Sequence, residues 1–424
     1  MHQPPVQSPQ RDPDVLIIGG GVIGVCSAYY LLREGRSVTL LEKDHINAGS
    51  TYGNAGLIIP SDSLPIPGPG VLTQGLRWLL DNTSPFYIQP TLDPALLRWL
   101  WEFQLACRES AFQKAVGPLT ELSEKSLPLF EEILEDEGIR CHYHRQGLLL
   151  LYRDGAHFQA GQALVAQLGD LGIQGETLTG QSLQKRFPPA RENLAGGLYF
   201  EPDAHLDPAA FTARLAERCV EAGLQLIEGC EVLELAHQGG RIETIHTTRG
   251  SFRADQVVLA AGAWSQNLAK QLHLRLPVQP AKGYSVTVER PASYPEIPLL
   301  LDEAKVAVTP LGEKLRFGGT LELAGLNMDI NQQRVQAMLD NAARYLAVDI
   351  PGQPLVEIWR GLRPCTPDGL PIIGRQGKIS NLVAATGHGM LGVSQGTMTG
   401  KLVAEIIQGQ KPGMELSAFS PDRF

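Results

Sequence analysis

Residues 15–24 read Val-Leu-Ile-Ile-Gly-Gly-Gly-Val-Ile-Gly, and no other stretch constrains the fold as tightly. Val15–Ile18 is a short, wholly apolar run of the kind buried on both faces of a parallel sheet. Gly19, Gly21 and Gly24 then fill a G-x-G-x-x-G turn that opens a helix expected over Val22–Leu32. In such a turn the first glycine permits a tight reversal. The second lets backbone N–H groups approach a pyrophosphate, and the third lets helix and strand pack closely. The helix N-terminus adds partial positive charge where the phosphates sit.

A lone glycine fingerprint is weak, because glycines also mark ordinary turns. Here it has its context. A second strand, Ser37-Val-Thr-Leu-Leu41, ends at Glu42, 18 residues beyond Gly24. Roughly 20 is the spacing expected for a carboxylate that accepts from ribose hydroxyls. The unit Asp14–Glu42 is therefore read as the start of a dinucleotide site.

Composition narrows the rest. The 424 residues suffice for two domains, and 43% hydrophobic with 19% charged residues suits an ordinary soluble globular chain. A net charge of −9 argues against nucleic acid as a partner. The six cysteines form no C-x-x-C pair, which points to reduced thiols in a cytoplasmic setting. Residues 1–13 are rich in Pro and Gln, lack an apolar core and read as a disordered tail rather than a signal peptide. No apolar run reaches 18 residues, so no transmembrane helix is expected.

After Glu42 comes an irregular Gly/Pro/Ser-rich stretch, Asn47–Gly70, and loops of that length are usually functional. Leu72–Leu80 and Pro94–Cys107 read as helices carrying Trp78, Trp99, Trp101 and Phe103. Their aromatics suit either a peripheral contact with the inner face of a membrane or, more simply, packing between two helices. Further helices are expected over Pro118–Gly138, Pro208–Gly223 and Asn331–Leu346, and strands over Gly147–Arg153, Leu224–Ile227 and Glu231–Leu235. Gln256–Trp264 reads as a second buried strand running into a small-residue turn. Antiparallel strands dominate Gly283–Leu323, and α/β character returns at Leu382–Ala385 before a last helix, Val393–Ile407. The expected fold class is α/β, a Rossmann-like dinucleotide-binding domain (14–85, 198–278 and 357–424) with an inserted mixed-sheet α+β substrate domain (86–197 and 279–356).

Three segments carry further chemistry. Ala48–Leu57 offers Ser50, Thr51 and Asn54 among tight glycines, as a backbone wrapping a diphosphate would. Trp359–Gly374 places Arg360 and Arg363 in what reads as a Pro/Gly-constrained loop, and a guanidinium is a planar fork matched to a carboxylate. Thr386-Gly-His-Gly-Met-Leu-Gly392 precedes the last helix, and its N–H groups and dipole suit negative charge on a flavin. His388 by itself is more often structural than catalytic. Cys141-His-Tyr-His144 would put two imidazoles on one side of a strand, but nothing nearby completes a metal site, so no metal is expected.

Together these segments resemble the FAD-dependent D-amino-acid oxidase superfamily, and most of all its bacterial D-amino acid dehydrogenases of the small-subunit type. The resemblance rests on Gly-Asn-Ala-Gly-Leu-Ile-Ile-Pro-Ser (53–61), Lys282-Gly-Tyr-Ser-Val-Thr, Gly361-Leu-Arg-Pro-Cys-Thr-Pro-Asp-Gly-Leu-Pro-Ile-Ile-Gly and Thr386–Gly392, and it spans Asp14–Gly409. It implies that Gly19, Gly21, Ile23 and Gly24 hold the FAD pyrophosphate and that Glu42 and Lys43 meet the adenosine. By the same resemblance, Ser50, Thr51, Asn54, Gly56 and Leu57 line the pyrophosphate and flavin, Val232 touches the adenine, and Gly262 and Trp264 flank the cofactor. Gly387, His388, Gly389, Met390, Leu391, Gly392 and Val393 face the pyrimidine end of the flavin, and Arg363 takes the substrate carboxylate. The chemistry is expected beside Arg363 and His388, both candidate catalytic residues.

Two departures matter. Sarcosine oxidases carry their flavin on a cysteine at the position of Gly361, so FAD is expected to be non-covalent here. Glycine oxidases place a carboxylate-binding tyrosine in the strand that here reads Val306-Ala-Val-Thr-Pro, which leaves Tyr284 as the candidate second ligand. The implied reaction is oxidation of a small D-amino acid or a proline-like cyclic amine, with electrons passed to a quinone-type acceptor. A glycine- or sarcosine-type oxidase using O2, an NAD(P)-dependent dehydrogenase and a non-catalytic flavin-binding subunit remain the alternatives.

Overall fold

The computed structural model describes residues 12–71, 84, 86–89, 93–169, 172–350 and 352–424. The expected helix Leu72–Leu80, with Trp78, and the tail through Arg11 lie outside the described residues. In chain order the first strands are β1 (Val15–Ile18), β2 (Val38–Leu41), β3 (Leu57–Ile58), β4 (Phe86–Ile88), β5 (Leu148–Tyr152), β6 (Glu176–Leu178) and β7 (Gly196–Phe200). They continue as β8 (Ala204–His205), β9 (Gln225–Ile227), β10 (Val232–Gln238), β11 (Arg241–Thr247), β12 (Gly250–Phe252) and β13 (Gln256–Leu259). The last are β14 (Gln279–Glu289), β15 (Leu299–Leu301), β16 (Val306–Leu311), β17 (Lys314–Leu323), β18 (Leu355–Cys365), β19 (Ile372–Arg375) and β20 (Leu382–Thr386).

Two sheets organise the chain. The first has the order β19-β20-β13-β1-β2-β9. Its central strand β1 pairs in parallel with β2 (Ile17↔Leu40) and with β13 (Ile17↔Val258). Every β1 residue is buried, which explains the unbroken apolar run: a parallel strand covered on both faces has no polar side to show. The Val22–Arg33 helix covers one face and crosses the Gly396–Gln408 helix closely. A Cβ on Gly400 would stand 2.5 Å from the Cys26 carbonyl carbon, so that crossing depends on the missing side chain.

The second sheet has the order β18-β14-β17-β16-β15-β5-β7-β6, with β4 beside β17. Alternation gives it two characters. Tyr284, Val286, Val288, Val306, Val308, Leu315 and Phe317 pack on one face with Met338 of the Gln332–Ala343 helix. The intervening residues Gly283, Ser285, Thr287, Thr309 and Arg316 face the other way. There, Ala307 joins a cluster with Leu57 and Ala55 of the loop after the glycine turn. The two sheets thus meet across residues 50–58.

Several expectations change. Trp359–Gly374 is not a loop: residues up to Cys365 form β18, paired with β14 from Gln279↔Cys365 to Val288↔Leu355. All of β18 belongs to the second sheet, so the boundary expected at 357 falls inside a strand. The expected helix at Pro118 starts at Glu109 and continues through Pro118 and Pro128 to Asp136. Its buried face, including Val116, Leu119, Leu122 and Phe130, outweighs the two lost N–H donors. The stretch 47–70 contains β3 and a single 3₁₀ turn, Pro60–Asp62. β13 stops at Leu259 with 262–264 as a 3₁₀ turn, and the last helix begins at Gly396 rather than Val393. His142 has φ 51, so Cys141–His144 does not run as an extended strand. Of the aromatics in the Pro94–Ala106 helix, Trp99 and Phe103 stack and are buried, whereas Trp101 is 61% exposed.

Candidate functional site

The carboxyl ends of β1, β2, β13 and β20 converge, as they do wherever open α/β sheets bind ligands. At the end of β1, Gly19 has φ +115, and a Cβ there would lie 2.4 Å from Ala260 O. A Cβ on Gly24 would lie 1.9 Å from Gly19 O, so helix and strand are held at glycine contact distance. Gly21 is different: only Thr51 Oγ1, at 3.3 Å, comes near its Cβ position, and the rest of that face is open. Val22 N–H donates to Thr51 Oγ1 (3.1 Å), while the N–H groups of Gly21 and Ile23 have no partner among the described residues. Open space, unpartnered donors and a helix N-terminus at one point fit a pyrophosphate.

Glu42 is 9% exposed, and its two oxygens accept from Gly20 N–H (2.7 Å) and Asp44 N–H (3.0 Å). Each oxygen keeps a lone pair for a ribose hydroxyl. Lys43 Nζ sits 3.7 Å above the Trp264 ring, which joins β2 to the 262–264 turn. Thr386 Oγ1 donates to Gly262 O (3.1 Å), tying that turn to β20. Val232 opens β10 as expected. The adenosine-side candidates therefore share one rim.

Loop 50–57 runs from this rim to the second sheet. Asn54 Oδ1 accepts from Gly56 N–H (2.8 Å), and Asn54 Nδ2 reaches Met390 O (3.5 Å), joining the loop to the 387–393 turn. Ser50 lies beside Thr51, and Leu57 pairs with His205 in β3–β8. Arg316, which the sequence does not single out, donates through Nη1 to Tyr52 O and Asn54 O, both at 2.9 Å. It is 5% exposed. A lone arginine between Leu315 and Phe317 in an apolar strand is the only sequence signal of that role.

The C-terminal turn closes the cleft. His388 forms an isolated bridge with Cys365, and Gly389 N–H donates to Pro364 O (2.9 Å). Leu391 N–H donates to His388 O, while Gly392 and Val393 lead into the last helix. His388 is 4% exposed, and burial pushes its pKa down to about 3. Its neutral ring shares a hydrogen bond with Thr399 Oγ1 (3.0 Å), so it shapes the turn and is not placed to exchange protons.

Arg363 lies on β18 on the cleft-facing side of the second sheet, together with Gly361 and Trp359. Nη1 donates to Thr320 O (2.6 Å) and Nη2 to Gly319 O (3.3 Å). Burial pulls its pKa down, and no carboxylate among the described residues answers its charge. The other interior cations differ. Lys282 and Arg334 share Glu322 at 3.4 and 3.3 Å, and Arg316 lies in the field of Asp207 and Glu357.

Tyr284 does not join Arg363. It sits on the opposite face of β14, 1% exposed in the core, and its hydroxyl accepts from Asn331 N–H (3.2 Å). Strand alternation separates the two side chains: Tyr284 pairs with Arg360, while Arg363 pairs with Ala281. Trp359 covers Gly53 and Gly361 instead, with Cβ positions on those glycines only 1.9 and 2.0 Å from its ring.

Behind loop 50–58, Asp203 is fully buried and accepts from Ser61 Oγ and Ser61 N–H. Burial lifts its pKa to about 7, against the two Ser61 hydrogen bonds that lower it and with nearby Asp62 raising it further. The folded value lies above the unfolded one, so this carboxyl favours the fold when protonated. That contribution is complete below about pH 4 and is lost as pH rises toward 7. Asp203→Asn is therefore expected to raise Tm at pH 8 by a few degrees and to leave it unchanged at pH 4, measured by thermal melts at both values.

Among the described residues, all six cysteines are unpaired, no cluster of metal-ligating side chains occurs, and no helix is long and apolar enough to cross a membrane. Comparison with known proteins adds to this geometry. The family described as FAD dependent oxidoreductase matches residues 14–406. The D-amino acid dehydrogenase of Granulibacter bethesdensis is 34% identical over 407 residues, covering 95% of this chain and 97% of that protein. That of Bradyrhizobium diazoefficiens is 34% identical over 416 residues, covering 97% and 98%. Among solved structures, glycine oxidase from Geobacillus kaustophilus superposes with a TM-score of 0.80 at 25% identity, covering 98% of this chain and 100% of that one. L-proline dehydrogenase from P. horikoshii superposes with a TM-score of 0.76 at 18% identity over 98% of each chain, a likeness of fold.

Proposed function

Because the chain belongs to the FAD dependent oxidoreductase family, and oxidises amino acids with that cofactor, we propose that its substrate is a small D-amino acid or a proline-like cyclic amine held by Arg363. The carrying observation is the unanswered charge of Arg363. A part-buried guanidinium held by two carbonyls, with no acid beside it, fits a substrate carboxylate that completes the ion pair. The names of the related dehydrogenases support the D configuration.

FAD, when bound, supplies the acceptor for a hydride equivalent from the substrate α-carbon. The chain's residues position and desolvate. Gly19, Gly21, Ile23 and Gly24 hold the pyrophosphate, Glu42 the ribose, and Lys43, Val232, Gly262 and Trp264 the adenosine side. Ser50, Thr51, Asn54, Gly56, Leu57 and the turn Gly387–Val393 line the rest. Arg363 fixes the carboxylate, which aims the α-C–H and leaves the neutral amine to release its electron pair, so that loss of the hydride equivalent gives an iminium that sheds a proton to water as the imine. A primary imine then hydrolyses to a keto acid and ammonia. Non-covalent attachment is supported at Gly361, which has no side chain and is covered by Trp359.

The site-forming division proposed is 14–85, 201–278 and 366–424 for the cofactor, and 86–200 with 279–365 for the substrate, so that β7 and β18 stay whole in the second sheet. A quinone-type acceptor and a cytoplasmic location, with the exposed Trp101 at a membrane face, complete the reading. The glycine oxidase likeness favours one alternative, an oxidase using O2.

The test is anaerobic addition of single D- and L-amino acids, glycine, sarcosine and proline derivatives to the yellow protein. The 450 nm region is expected to bleach with D-amino acids or cyclic amines and to recover faster with a soluble quinone than with air. No bleaching by any of them would remove the reading, and faster recovery in air would replace the dehydrogenase with an oxidase.

A further inference from the structure

The immediate surroundings of Arg363 contain two features that an ordinary strand does not need. A Cβ on Gly283 would lie 1.9 Å from Arg363 Nη1 and 2.3 Å from its Cζ. The guanidinium therefore occupies the space where any other residue at 283 would put its first side-chain carbon. Opposite, Thr320 has φ 59, a left-handed conformation that a β-branched residue adopts only under constraint. The register of β14 against β17 slips there, between Lys282 and Tyr284. The result is that two successive carbonyls, Gly319 O and Thr320 O, both receive the fork. Tyr284 N–H donates to Thr320 Oγ1 (3.3 Å) and helps hold the irregular residue in place.

Resting on the assignment of Arg363 to the substrate carboxylate, we propose that Gly283 and Thr320 are positioning residues that set the orientation of the Arg363 fork. Gly283 supplies the seat, and the left-handed Thr320 backbone supplies two acceptors on one edge. With one N–H of Nη1 and one of Nη2 so engaged, the remaining donors of the planar fork have no partner among the described residues. They share a plane, as a bidentate carboxylate requires. The strain at Thr320 is thus tied to a function: without the bulge, neighbouring carbonyls of a regular strand point in opposite directions and cannot both hold one guanidinium.

The test uses the flavin-loaded enzyme and titrates propionate, a carboxylate without an amine, by calorimetry, alongside steady-state kinetics with the best amino-acid substrate. In Gly283→Ala the added carbon displaces the flexible end of Arg363 rather than backbone, so the protein is expected to fold and stay yellow. Its propionate Kd and its KM are expected to rise at least tenfold, with kcat changed far less. Thr320→Val, which lacks the Oγ1 that accepts from Tyr284 N–H, is expected to raise Kd at least threefold as φ 59 relaxes. Thr320→Gly, which adopts φ 59 freely, is the rescue variant expected to lose less than Gly283→Ala. In an Arg363→Ala background, Gly283→Ala is expected to have no further effect, a coupling that a general packing defect would not show. Parent-like propionate binding in Gly283→Ala, or equal losses in Thr320→Gly and Gly283→Ala, would overturn the proposal. Parent-like binding in Arg363→Ala would instead remove the carboxylate assignment on which it rests.

Discussion

Arg363→Ala is expected to raise KM for the amino-acid substrate by about 30- to 3,000-fold while the purified protein remains yellow. The magnitude follows from the loss of one partner of a buried charge pair, about 2–5 kcal/mol, at 1.4 kcal/mol per decade. The retained colour follows from position: Arg363 bonds Gly319 O and Thr320 O of the second sheet and touches nothing in the glycine turn. Arg363 is only part-buried and its loss also frees two carbonyls, so Tm is expected to change little. Steady-state kinetics, flavin content per chain and a thermal melt read the three parts separately. A KM equal to the parent's would take the carboxylate away from Arg363.

Gly24→Ala is expected to remove the cofactor. The new methyl would stand 1.9 Å from Gly19 O, a backbone atom that cannot swing aside. Either the Val22–Arg33 helix lifts from β1 or the turn opens, and both moves displace the N–H groups of Gly21 and Ile23. Flavin per chain after gel filtration is expected to fall by tenfold or more, with a clear drop in Tm. Gly155→Ala is the matched control: nothing lies within 4 Å of that Cβ position, and it is expected to be silent in both measurements. Full flavin content in Gly24→Ala would mean that the cofactor is held somewhere other than this turn.

The first of these expectations depends on a residue whose surroundings could not be read in advance, the second on one whose surroundings could. The β1–turn–β2 unit is a local pattern: four apolar residues, three spaced glycines and an acid at the right distance, all within Asp14–Glu42. Steric rules fix that unit without long-range information. The motif singles out Arg363, but Gly361 and Pro364 punctuate its strand so that the sequence reads as a loop. Proline is tolerated there because β18 is the edge strand of its sheet, which no sequence pattern reveals.

Tyr284 illustrates a one-residue error. In a strand, neighbours face opposite ways, so Gly283 meets Arg363 while Tyr284 enters the core. Choosing between them requires knowing which face borders the cleft, and both faces of β14 are buried. Arg316 carries only a faint sequence signal of its role, and Thr320 none, for a related reason. Their roles come from main-chain carbonyls of distant segments, Tyr52 and Asn54 for one and the Arg363 fork for the other. The helix Glu109–Asp136 ran past two prolines because its burial is a tertiary effect.

The central claim is that a part-buried guanidinium without an acid of its own selects the substrate by its carboxylate. Anaerobic flavin bleaching by a D-amino acid and by the matching amine that lacks the carboxylate tests it most directly, for example D-alanine against ethylamine. The account predicts saturable bleaching by D-alanine and none by ethylamine at a hundredfold higher concentration, a difference that disappears in Arg363→Ala. Equal bleaching by the two compounds in the parent enzyme would contradict it.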